Sequence, residues 1–266
     1  MDLLRLYTHS MRMNLRAQLQ YPRSFFFQTL AQLIMSGGEL MAVLLVIDRF
    51  QALGQWSGGD LMFFFGVMTV TFYLCEFFFR GITNFSPYVR KGKLDSFFLR
   101  PRGILTQVLC YEMDVRRIAC ISVGVAALVM GSNSVGIAWT GLKALCLLLS
   151  FLGGALLIMG LFLIDASFSI FSVKSMEMIN ALTYGGRSAC QYPIDIYPKP
   201  IKLLFMFVAP FALTLHMPVA YILGKPLFPG VAAFWAFLAP LAGVLSFLID
   251  YVIFRRALRH YRSTGS

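Results

Sequence analysis

Long apolar runs separated by short polar stretches set the plan of the chain. Runs at about 25–47, 61–79, 115–131, 142–164 and 231–254 each approach the ~20 residues that carry an α-helix across a bilayer. Segments of ~10 residues alternating apolar and polar, the mark of a membrane barrel, do not occur. The pattern predicts an all-α polytopic membrane protein in which residues 1–266 form a single transmembrane domain.

Two stretches leave the pattern open. Residues 165–192 have apolar positions but also carry Lys174, Glu177, Asn180 and Arg187. Prolines at 193, 198 and 200 then disfavour a continuous helix, and the apolar run 201–223 is broken by Pro210 and Pro218. Either 201–223 is the fifth span, with 165–200 as a loop, or about 168–192 is the fifth span. In the second case 193–223 is a re-entrant hairpin that dips in and returns. Both arrangements give six crossings. The second leaves irregular backbone at membrane depth, which protein must bury.

The polar stretches differ in charge. Before the first run stand Arg5, Arg12, Arg16 and Arg23, spaced to share one side of a helix, with Leu4, Met11 and Leu15 beside them. Residues 1–23 are therefore expected to form an interfacial helix on the leaflet. Between Arg80 and Arg117 lie eight basic residues, and four follow Phe254. The turns near 50–60 and 132–141 contain none. The positive-inside bias then puts both termini and the 80–117 region in the cytoplasm.

Within that region residues 86–103, SPYVRKGKLDSFFLRPRG, are the most charged part of the chain. Leu94, Phe97 and Phe98 fall at i, i+3 and i+4, so they share one helical face, expected to be exposed. Arg90, Lys91, Lys93 and Arg100 flank it, with Asp95 among them. An apolar patch rimmed by charge reads as a docking surface for another protein. The alternative is an ordinary basic loop that only fixes orientation.

Composition agrees with the pattern. The 266 residues are 58% hydrophobic and 13% charged, where a soluble domain carries about a quarter. The formal charge of +11 is explained by loops facing anionic lipid, and no nucleic-acid partner is expected. Five scattered cysteines, without a CxxC pair, suggest neither a disulfide framework nor a zinc site. No cleavable leader is expected, since the first apolar run begins only at Phe25.

Catalytic signatures are missing. The chain has no GxxxxGK[ST], HExxH, GxSxG or GxGD, and its three histidines are far apart. It is not expected to be an enzyme or to hold a cofactor. Acids within spans usually mark something. Glu76 and Asp250, near span ends, are expected to pair with Arg80 and with Arg255 or Arg256. Glu39, near mid-depth, is a candidate for the substrate path or for a helix contact.

Three segments together carry a resemblance: GKLDSFFLRP in the basic elbow, YPIDIYPKP before the proline-broken run, and the terminal LRHYRSTGS. With them the chain resembles an ABC exporter permease of the ABC-2 type, in the bacterial branch with a G.LD.FLLRP elbow and a Y.S.GS end. The resemblance covers nearly the whole chain. It implies six spans, an N-terminal interfacial helix, a coupling helix between the second and third spans, and 193–223 as a re-entrant outer hairpin. It further implies a separate ATPase subunit carrying ATP and Mg, docked through Arg90, Lys91, Lys93, Leu94, Asp95, Phe97, Phe98 and Arg100. A second permease subunit, as heterodimer or homodimer, in the bacterial inner membrane completes the expectation. Rival readings are an ion-coupled secondary transporter and a non-transporting membrane scaffold.

Overall fold

A computed structural model describes residues 3–50, 52–171, 173–226 and 232–261 of the chain. It is helical apart from one two-stranded turn. Helix α1 (Leu3–Leu19) is followed after a short hinge by α2 (Pro22–Phe50). Strands β1 (Ala52–Leu53) and β2 (Trp56–Ser57) turn the chain into α3 (Gly58–Phe78). Four short helices follow: α4 (Arg80–Thr83), α5 (Phe85–Arg90), α6 (Lys93–Phe98) and α7 (Ile104–Leu109). Then come α8 (Arg117–Val135), α9 (Gly141–Phe171) and α10 (Val173–Ala189). A bent segment contains α11 (Lys199–Leu203) and α12 (Met217–Leu223), and α13 (Ala239–Leu258) ends the described chain.

Five helical stretches are long and apolar enough to cross a membrane, or six if the bent segment counts as one. They are α2, α3, α8, α9 and the 233–258 stretch that includes α13. By length and composition these helices make an all-α, multi-pass membrane protein. The core is built on α3, which is buried along most of its length, whereas α2 is exposed along most of its own. A Ser57–Asp60 capping box starts α3: Asp60 N–H donates to Ser57 Oγ, and Asp60 Oδ2 accepts from Ser57 N–H at 2.8 Å.

Small residues let the helices meet without a hydrophobic drive between them. A Cβ on Gly131 would stand 2.6 Å from Phe63 N, and one on Gly66 would meet the Leu128 backbone, so α3 and α8 touch backbone to backbone. Gly153 and Gly243 bring α9 and α13 together in the same way.

The structure corrects two expected boundaries. Residues 132–134, expected in a turn, complete α8, which ends where Gly136 takes φ 67°. The span expected over about 168–192 is divided. Its first residues finish α9, and Val173–Ala189 forms a separate helix of 17 residues, slightly shorter than the ~20 of a typical span. The 201–223 run is not one straight helix either, because its arms bend by 84° around Ala209–Phe211. Pro210 cannot donate a backbone hydrogen bond, and π-turns stand on both sides of it.

Candidate functional site

The expected docking segment is a compact unit at one end of the bundle. Gly92, at φ 64°, reverses the chain between α5 and α6. Gln107 sits behind α6 and donates to the Phe97 carbonyl at 2.9 Å and the Arg102 carbonyl at 2.8 Å. The loop after α6 is thereby pinned from inside. A Cβ on Gly81 would collide with the Val108 carbonyl, so α4 and α7 are in backbone contact.

Here the structure corrects the sequence reading. Leu94 and Phe97 are 0% and 1% exposed, so they belong to the core and not to an open patch. Phe97 packs edge-on against Tyr88 and Tyr111, with ring centroids 6.0 and 5.2 Å apart. Phe98 is 48% exposed and Leu99 is 87% exposed. The outward apolar pair is therefore Phe98–Leu99. Around it Arg90, Lys91, Lys93 and Arg100 face solvent, while Asp95 is partly buried. Phe98 stacks on Tyr261 at 5.6 Å, so the start of the C-terminal tail lies on the elbow. Burial, with the Asp95 carboxylate beside it, pushes the Tyr261 phenol above its ordinary value. The rest of the expected terminal motif, 262–266, lies outside the described residues.

Behind the elbow is an ionic cluster. Glu76, 1% exposed in its side chain, meets Arg80 at 3.4 Å and Arg117 at 3.1 Å and accepts from the Tyr184 hydroxyl at 3.2 Å. Asp114 meets Arg116 at 2.6 Å, Arg117 at 3.6 Å and Arg80 at 3.9 Å. Two buried carboxylates are thus shared among three guanidiniums, which compensates charges that would be costly alone. Arg116 reaches Gln28, and Arg117 donates to Gln32 at 2.9 Å, so α2 is tied into the cluster. The same end receives α1: Tyr7, Asn14 and Gln18 lie on one face and donate to the carbonyls of Phe78, Tyr111 and Met113.

Glu39 is not alone. Arg187 of α10 grips it through both terminal nitrogens, at 3.1 and 2.5 Å, and lies over the Tyr73 and Phe72 rings at 4.6 and 5.0 Å. Of the two roles expected for Glu39, the helix contact is present. No periodicity could have named Arg187 as its partner, since 148 residues separate them. The expected Glu76–Arg80 pair is present. Among the described residues Asp250 makes no ion pair with Arg255 or Arg256. Its carboxylate lies against Gly160 of α9 instead, while Arg255 leans over Tyr251 at 5.9 Å.

At the far end a second polar group holds the bent segment. Trp56 Nε1 donates to both Asp195 oxygens at 2.9 Å. Lys225 pairs with Asp60 at 3.1 Å and donates to the Gln55 carbonyl at 2.8 Å. Ile194 N–H donates to His216 Nδ1 at 3.2 Å, and the His216 ring stacks on Phe64. Asp195 and Lys225 stand at opposite ends of the bent segment, yet both bind the same 55–60 turn.

Comparison with known proteins adds one finding. A family model described as an ABC-2 family transporter protein matches residues 33–265. No curated protein and no solved structure matches the chain.

Proposed function

Because the chain belongs to the ABC-2 family of transporter membrane proteins, we propose that it is the permease subunit of an ATP-driven exporter. In this reading it forms the substrate path with a second permease and couples to separate ATPase subunits. The observation that carries the proposal is the elbow's construction. Phe98 and Leu99 stand out from a cationic rim, while Phe97, two residues before Leu99, is locked into the core that also holds α3 and α9. Force applied to the outward pair passes directly to the bundle.

The elbow end is cytoplasmic in this reading, with both termini, and the far end faces outside. Residues 193–223 are a re-entrant hairpin that enters and leaves on the outer side, held there by Asp195 and Lys225. The short α10 then brings the chain back out after α9, completing six crossings. ATP closes the ATPase dimer, the elbows are drawn together, and the bundle tilts open outward. Glu39 and Arg187, between aromatic walls, border the path. The exposed apolar face of α2, with Ile34, Met35 and Leu45, meets lipid or the second permease, identical or related. The setting is a bacterial inner membrane, with ATP and Mg held by the partner.

The test is purification of the tagged chain from its own host. An ATPase should co-purify, and its hydrolysis should depend on this chain. A stable assembly without an ATPase contradicts the proposal and favours an ion-coupled transporter or a scaffold.

A further inference from the structure

Between α1 and the elbow lies a cavity of about 590 Å³. Leu6, Met13 and Tyr111 give it an apolar wall, and Arg100 and Arg102 stand at its edge. No carboxylate lines it. Both arginines are exposed, and neither forms an ion pair among those described; Arg100 lies 5.9 Å from the centroid of the Phe97 ring. Gln107 lines the same cavity and is only 7% exposed. Its amide nitrogen is committed to two carbonyls, which fixes the orientation of the amide and leaves Oε1 buried without a partner. A buried acceptor of this kind is normally satisfied.

We propose that this cavity binds an anionic phospholipid whose headgroup carries a free hydroxyl, as phosphatidylglycerol does, and so seats the elbow on the adjacent leaflet. The phosphate meets Arg100 and Arg102. A headgroup hydroxyl donates to Gln107 Oε1. The acyl chains lie along Leu6 and Met13, and Met13 is exposed beside the cavity. A free phosphate has no use for the apolar wall. A choline or ethanolamine headgroup would bring a cation beside two guanidiniums, and choline has no proton to offer Oε1.

The test needs no ATPase, so its failure is separate from failure of the exporter reading. The chain is equilibrated with vesicles of equal phosphatidylglycerol and phosphatidylcholine, extracted, and its retained lipid identified by native mass spectrometry. Phosphatidylglycerol should be retained about tenfold over phosphatidylcholine. Arg100→Gln with Arg102→Gln should remove that preference. Met13→Trp, which fills the apolar side and leaves every charge in place, should lower retention by a similar factor. It also keeps the proposal testable if the double variant melts early. Equal retention of the two lipids by the wild type overturns the proposal. So does unchanged phosphatidylglycerol on a folded Met13→Trp protein, or displacement of the lipid by millimolar inorganic phosphate.

Discussion

The two ends of α3 are held in different ways. At the elbow end Glu76 and Asp114 share Arg80, Arg116 and Arg117, so four elements meet in one charged block. At the far end Asp60 pairs with Lys225, while Asp195 accepts from Trp56 and Gln55, so the two acids share no cation. Shared partners make the first arrangement all-or-none, because removing one acid leaves cations with too little charge to face. Separate ties can be released one at a time. On the proposed exporter mechanism the elbow end moves as a block and the far end yields.

The largest effect should come from breaking the block. Glu76→Ala strands Arg117 in a buried setting and should cost about 3–5 kcal/mol, read as loss of folded protein or a much lower Tm in detergent. A Tm near wild type would mean that Asp114 alone balances the cluster. Asp195→Asn removes a carboxylate that accepts from Trp56 Nε1 and from Gln55 Nε2, and should cost only about 1–2 kcal/mol. Its sign is local. Protease cleavage or cysteine labelling in 197–203 should rise while the elbow end stays protected, and equal loosening at both ends would remove the distinction. Smallest in energy is the labelling pattern itself. Cysteines at Gly58 and Lys199 should react from outside intact cells, and one at Lys91 should not. Reaction of Lys91→Cys from outside would invert the orientation proposed for both ends.

Much of the architecture was legible because bilayer length and positive charge act locally. Apolar runs of bilayer length foretold the five long helices, and the i, i+4 spacing foretold Glu76–Arg80. The same locality explains the misses. The spacing of Leu94, Phe97 and Phe98 placed them on one face, but the residues that bury Phe97 are Tyr88 and Tyr111, outside that helix. Asp250 was expected to find the nearest arginines in sequence, yet its neighbour is Gly160 of another helix. Glu39 could be flagged as costly, while its partner lay on a helix that composition made hard to assign. The end of α9 fell later than expected because Phe168, Ile170 and Phe171 carry its apolar positions on past Ile164.

Phe97 and Phe98 bring the same contrast down to adjacent residues. Phe97→Ala would excavate the core by about 3–5 kcal/mol and could not separate coupling from folding. Phe98→Ala with Leu99→Ala removes the outward pair and, with it, the Phe98 stacking on Tyr261, but leaves the core intact. The decisive measurement is ATPase co-purification and hydrolysis per assembled complex for that double variant, with Tm measured alongside. Anchors of this kind are worth about 2 kcal/mol each, so the coupling account predicts an unchanged Tm and at least about thirtyfold weaker ATPase association. Wild-type association and hydrolysis in the folded double variant would contradict it.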